Sequence, residues 1–292
     1  MLIVQYLAAN PPVLLTFAGL LGLVVGSFLN VVIHRLPKMM EHDWRSQCAE
    51  ILDDAAPPEQ RPAYNLVVPR SRCPNCDHPI TALENVPVVS YVALRGRCSD
   101  CGWRIPLRYP AIELLTALLS VMVIWNFGLT VQAGGALLLT WALVALSFID
   151  FDTQYLPDSI TLPFLWLGLA FNVTGTYTST QASVIGAIAG YLTLWSVFHL
   201  FRLVTGKEGM GYGDFKLLAL LGAWLGWSAV PLIVLLSSIV GAVIGVALIS
   251  MRGHDKNIPI PFGPYLAIAG WIALMWGNQL LDAYLGVSGL QQ

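Results

Sequence analysis

Apolar residues in this chain come in long unbroken runs. Eight stretches are apolar almost throughout: residues 12–33, 111–129, 131–149, 159–175, 182–204, 215–227, 229–250 and 260–283. A run of roughly 20 such residues spans about 30 Å of hydrocarbon, and a helix that is apolar all round has lipid or protein as its solvent. The pattern predicts an all-α polytopic membrane protein of about eight transmembrane helices, the sixth rather short. The chain is 56% hydrophobic and only 11% charged, where soluble domains carry about 25% charged residues. No basic residue precedes Arg35, so the first run lacks the basic flank of a cleaved signal and reads as a span.

Lys and Arg near span ends are retained on the cytoplasmic side. Ten of the 15 basic residues lie between spans one and two; Arg202, Lys207 and Lys216 lie between five and six, and Arg252 and Lys256 between seven and eight. The N-terminus, the segments around Leu129, Thr176 and Trp227, and the C-terminal tail carry none. Every basic residue thus falls on alternate loops, which supports the span count and places both termini outside. The basic residues are spread among comparable acids and form no stripe, which argues against nucleic acid as a partner.

The first span, ending at residue 33, is followed by the one long polar segment, residues 34–108; residues 109–292 hold the other spans. The insertion is small for an independent core and needs a metal, a disulfide or other support. Its first half, around 53–62, reads as a polar, Pro-rich excursion. Its second half holds Cys73-Pro-Asn-Cys76 and Cys98-Ser-Asp-Cys101, with 21 residues between the pairs. Two C-x-x-C knuckles at such spacing are the pattern of a four-thiolate zinc site. Two disulfides are the competing reading, but the charge pattern places the loop in the cytoplasm, where thiols stay reduced. Four thiolates leave no open coordination position, so the zinc is expected to be structural. Cys48 stands alone.

Two loops on the same predicted side carry acids. After span three come Asp150, Asp152 and Asp158 with no base among them. A carboxylate there meets the negative end of a helix dipole and loses water, and ionisable groups at membrane depth are functional candidates. Asp158, at the start of span four, reads as a helix N-cap, and Asp152 as a solvated loop acid. Asp150 lies deepest. The second loop, Gly209-Met-Gly211-Tyr-Gly213-Asp214, alternates glycines before an acid. It reads either as an uncrowded backbone that a substrate chain can approach or as a flexible turn with Asp214 as N-cap. Both acids sit at cytoplasmic span ends and could meet there. Two carboxylates sharing a proton can activate water against a peptide carbonyl. An ion-coupled transporter using Asp150, Asp152 and Glu113 is a second reading; a non-catalytic scaffold of a secretion system is a third.

At these residues the chain resembles the type IV prepilin peptidases and their G-x-G-D motif. Gly26-Ser-Phe-Leu-Asn30 through Arg35-Leu-Pro37 is similar to the family's N-terminal signature, and Pro69-Arg-Ser-Arg-Cys73-Pro to the entry of its cysteine domain. Glu84-Asn-Val-Pro87-Val-Val-Ser-Tyr91 and Arg108-Tyr-Pro-Ala-Ile-Glu113-Leu continue the likeness. The resemblance implies catalysis by Asp150, seven residues before Pro157, and by Asp214. It implies a multi-pass enzyme of the bacterial inner membrane acting on prepilins and pseudopilins. These lose a basic leader after a glycine on the cytoplasmic side, and S-adenosylmethionine then methylates the new N-terminal amine. The cysteine insertion is the mark of the bifunctional form, which makes 34–108 methyltransferase-associated and 109–292 the peptidase domain. By resemblance Gly96, Glu84 and Asn85 lie near the methyl-transfer site. Gly96 also reads as a residue that admits a tight turn beside a knuckle, and the other two as structural hydrogen-bonders.

Overall fold

The computed structural model describes residues 2–51, 64–207, 209–252 and 261–288. The Pro-rich stretch expected around 53–62 lies outside the described residues. Ten helices are present among them: α1 (Leu2–Ala9), α2 (Pro11–Ile51), α3 (Val89–Ala93), α4 (Arg108–Phe127), α5 (Val131–Thr153), α6 (Asp158–Val173), α7 (Thr180–Thr205), α8 (Tyr212–Leu225), α9 (Ala229–Arg252) and α10 (Gly263–Ser288). Residues 1–129 and 130–292 form two compact units.

The chain is polytopic and all-α. Among the described residues α2, α4, α5, α7 and α9 are long and apolar enough to cross a membrane, while α6 and the apolar part of α10 are shorter. The helix ends differ from the apolar runs where hydropathy and backbone chemistry part company. α2 continues to Ile51, past the boundary expected at 33. Polarity marks where a helix leaves lipid and does not by itself end a helix; α2 runs on through Pro37. Side-chain pairs one turn apart support the extension: Arg45 donates to Glu41 at 2.6 Å and Lys38 lies 2.9 Å from His34. At 41 residues α2 is about 60 Å long, twice the hydrocarbon thickness.

In the first unit α2 and α4 approach through Gly22 and Gly26, one turn apart. A Cβ added at Gly22 would stand 2.6 Å from the Cα of Ala117, and one at Gly26 2.7 Å from the Cα of Glu113. Small residues at such spacing let helix backbones come together in lipid, where no hydrophobic effect drives them.

In the second unit α8 is the enclosed helix. Phe215, Leu217, Leu218, Leu220, Leu221 and Trp224 are fully buried, and α6, α7, α9 and α10 all pack against it. Its 14 residues span about 21 Å. α7 meets it backbone to backbone: a Cβ at Gly186 would stand 2.2 Å from the Gly222 carbonyl oxygen. The far end of α8 is tied by Asn172 of α6. Its Nδ2 donates to the carbonyls of Ala223 and Trp224, both at 2.9 Å, while its Oδ1 accepts from the N–H groups of Tyr177 and Thr178 at 3.0 and 3.2 Å. Trp224 lies against Gly168 and donates its indole N–H to the Phe164 carbonyl at 2.8 Å.

Asn172 is fully buried, so removing its amide strands the Trp224 carbonyl and the N–H groups of Tyr177 and Thr178, while the Ala223 carbonyl keeps the Ser183 hydroxyl. Asn172→Leu is expected to cost about 3 kcal/mol or more, read as a lower Tm of the detergent-solubilised protein; an unchanged Tm contradicts this role.

Candidate active site and metal centre

Asp150 occupies the last turn of α5, which ends at Gln154 in the left-handed conformation (φ 57°). The carboxylate turns inward and is 5% exposed. Its Oδ2 accepts the N–H of Gly263, 113 residues away, at 3.0 Å. Gly263 opens α10, so the aspartate supplies a partner to a helix-start donor that no intrahelical carbonyl can reach. A Cβ at Gly263 would stand 2.6 Å from Asp150 Oδ2.

Asp214 lies in the first turn of α8, where a helix favours negative charge. It is 6% exposed, and its Oδ1 is buried with no hydrogen-bond partner among the described residues. The two acids are electrostatic neighbours: the charge of Asp150 is felt at Asp214. Leu156 links their surroundings. It stands 2.7 Å from where a Cβ of Gly213 would be and 3.3 Å from where a Cβ of Gly263 would be. Asp150, Gly263, Leu156, Gly213 and Asp214 therefore form one contiguous patch of the second unit.

Three expectations change here. The N-cap of α8 is Gly211, and Asp214 sits three residues later; glycine costs little at a cap, and this releases the aspartate side chain. The N-cap of α6 is Pro157, and Asp158 is the first helical residue. Its carboxylate accepts from Lys216 Nζ at 2.7 Å, an ion pair between α6 and α8. The alternating glycines are not uncrowded throughout: a Cβ added at Gly209 would stand 2.8 Å from the Phe201 ring, and one at Gly213 would stand 2.7 Å from Leu156. Of the three, Gly211 alone has room for a side chain: a Cβ added there would meet only Asp214 Oδ2, at 3.9 Å. Glycine at 209 and 213 makes room for the chain's own side chains. Asp152 is exposed.

In the first unit the two cysteine loops repeat one backbone design. The N–H of Cys73 donates to the His78 carbonyl at 3.0 Å and that of Cys98 to the Trp103 carbonyl at 2.8 Å. Positive φ falls at the matching positions, Asp77 (56°) and Gly102 (70°), turning each knuckle so that both thiols face the same point. The four Sγ atoms lie within 4.8 Å of one another. Cys73 and Cys101 are 3.8 Å apart and Cys76 and Cys98 3.9 Å. A disulfide needs about 2.05 Å, whereas a tetrahedron with bonds of about 2.3 Å to its centre has edges of about 3.8 Å. The cluster is capable of coordinating a metal ion. Asn75 Nδ2 donates to Cys101 Sγ at 3.5 Å, a contact suited to a thiolate.

Glu84 bridges the two loops. It accepts from the hydroxyl of Ser99, from the N–H and hydroxyl of Thr81 at 2.9 and 2.8 Å, and lies 3.3 Å from His78 Nε2. The Ser99 hydroxyl above all, then the Thr81 N–H and hydroxyl, hold it well below the usual carboxylate range, at about 2. Asn85 is exposed, its N–H bonded to the Thr81 carbonyl at 3.1 Å. Gly96 has φ +66°, and a Cβ there would stand 2.7 Å from Tyr91 Oη.

Residues 20–127 match the bacterial peptidase A24 N-terminal domain, and residues 137–246 match the type IV leader peptidase family. Over 282 residues the chain is 58% identical to a prepilin leader peptidase/N-methyltransferase of Stutzerimonas stutzeri, with 97% of each chain covered. It is 57% identical over 289 residues to one from Pseudomonas aeruginosa, covering 99% of each. With one from Burkholderia pseudomallei it shares 52% over 266 residues, or 90% of this chain and 86% of that one. No solved structure matches the chain.

Proposed function

The chain belongs to the type IV leader peptidase family, and we propose that Asp150 and Asp214 carry its leader-cleaving chemistry while the first unit carries N-methylation. It acts on prepilins and pseudopilins in the bacterial inner membrane, removes their basic leader on the cytoplasmic side, and methylates the exposed amine. Eight spans, α2 and α4 to α10, with both termini periplasmic, accommodate this topology and the placement of the basic residues.

One observation carries the peptidase reading: two enclosed carboxyl groups share a patch, one anchored by a backbone N–H and the other with a buried oxygen left for a partner. With one carboxyl protonated and its neighbour ionised, the carboxylate takes a proton from water as the water oxygen bonds to the scissile carbonyl carbon. The protonated carboxyl supports the carbonyl oxygen. Collapse then breaks the C–N bond, with the proton delivered to the departing amine. The pair acts as a unit, so neither role belongs to one residue alone. Gly263 holds Oδ2 of Asp150 and so sets the direction of its other oxygen.

Cys73, Cys76, Cys98 and Cys101 would hold zinc: four thiolates within 4.8 Å of one another suit that ion, and closed coordination would make it structural. It ties the loops at Cys73 and Cys98 together. Residues of the first unit would hold S-adenosylmethionine, which would supply the methyl group for the new N-terminal amine. An ion-coupled transporter built on Asp150, Asp152 and Glu113 has no use for the thiolate cluster, and the matched relatives are named as peptidases and methyltransferases.

Asp150→Asn and Asp214→Asn are each expected to lower cleavage of a leader-bearing prepilin on the order of 10³-fold or more, since members of such a unit fail together. Mass spectrometry of the prepilin reads this directly; cleavage retained by either variant contradicts the pairing. Elemental analysis of the purified chain is expected to give about one zinc per chain, lost when Cys73 and Cys98 are both replaced by Ser. Zinc retained in that variant contradicts the four-thiolate site.

A further inference from the structure

The first unit encloses a cavity of about 480 Å³ between α2, α4 and the cysteine loops, within the size range of cofactor sites, roughly 300–1,000 Å³. We propose that this cavity holds S-adenosylmethionine, with Arg35 and Glu113 recognising its charged amino-acid end. The proposal rests on the methyltransferase reading above and adds to it the place and the residues.

Arg35 and Glu113 are the two buried charged residues of the lining, 7% and 8% exposed. Buried charge is costly unless paired or hydrogen-bonded, and each is only partly provided for. The Arg35 guanidinium, which has five donors, makes one side-chain hydrogen bond among the described residues, from Nη1 to the Asn65 carbonyl at 2.9 Å, and stands 5.7 Å from the ring centre of Tyr64. Glu113 accepts the Val88 N–H on Oε2 at 2.8 Å and is also bonded by Ser27. Val88 has φ 60°. A β-branched residue rarely adopts that conformation, and such strain is retained where the surrounding structure demands it. Here it aims the N–H at the carboxylate.

A zwitterionic amino acid needs both signs: a guanidinium for its carboxylate and a carboxylate for its ammonium. A second carboxylate, Glu84, also lines the cavity; kept ionised by its own partners, it suits a ribose diol or a cationic sulfonium. Tyr64, Tyr91 and Trp103 supply aromatic faces for an adenine ring and for positive charge. Arg70 and Arg72 also line the cavity but are exposed. The buried charges of the lining are one of each sign, Arg35 and Glu113, which a zwitterionic amino acid matches and a phosphate-rich ligand or an anionic lipid headgroup does not.

The test measures binding of S-adenosylhomocysteine to the purified full-length chain by calorimetry, with Glu113→Gln and Arg35→Gln beside it. Loss of a charge-assisted contact is expected to weaken binding about tenfold or more. Zinc content and leader cleavage report that the variants are folded. Binding equal to wild type in both folded variants overturns the site while leaving the methyltransferase reading intact. A wild-type chain that cleaves leaders yet neither binds the probe nor methylates overturns that reading itself. Should the variants lose zinc, ultraviolet crosslinking of radiolabelled S-adenosylmethionine to the wild-type chain decides. Label in peptides carrying Tyr64, Tyr91 or Trp103 supports the cavity, and label confined to residues 130–288 overturns it.

Discussion

A carboxyl group enclosed by apolar helices must be neutral, paired or hydrogen-bonded, and the second unit is organised around two of them. Asp150 is provided for by the first N–H of α10, a donor that itself lacks an intrahelical partner. One contact thus satisfies two groups and ties the end of α5 to the start of α10. Asp214 is provided for less completely, by its place in the first turn of α8, and one of its oxygens is left without a partner among the described residues. A fold built only for stability has no reason to keep such an oxygen. Its presence beside a second carboxyl is what makes the patch chemically poised.

Small residues make that arrangement possible. α8 is enclosed and short because Gly211 caps one end and Gly226, with φ 84°, closes the other. α7 lies against it through Gly186 and Gly222, whose backbones touch, and Asn172 holds its last carbonyls. Beside the knuckles Gly96, with φ 66°, leaves room over which Tyr91 lies. In both units, then, the missing side chain of a glycine is filled by another part of the same unit.

The eight apolar runs each contain a helix, and five of these helices are long and apolar enough to cross a membrane, because burial in lipid imposes a length and a composition that a sequence displays openly. Helix ends were less legible. α2 runs past residue 33 because a fall in hydropathy marks a change of solvent and not a break in the backbone. The four cysteines were legible because two C-x-x-C pairs have few other uses, and their sulfur atoms lie within 4.8 Å of one another, close enough to hold a metal ion. Asp150 and Asp214 stood out as costly acids at span ends. Gly263 did not, since a backbone N–H leaves no mark on a sequence and its partner is 113 residues away. Leu156 and Asn172 were missed for a similar reason: an apolar residue in a loop and an amide in a span acquire meaning only from what they touch. Glu113 was visible as an acid in an apolar run, but its tie to Val88 was not.

The central claim is that one amide bond is gripped by both aspartates together. An experimental structure of the chain with an uncleaved, leader-bearing prepilin bound tests it most directly. The account predicts that the scissile carbonyl, or the water facing it, lies within hydrogen-bonding reach of both carboxyl groups, about 2.6–3.2 Å. A scissile bond resting at one aspartate with the other turned away, or lying in the cysteine-bearing unit, would contradict it.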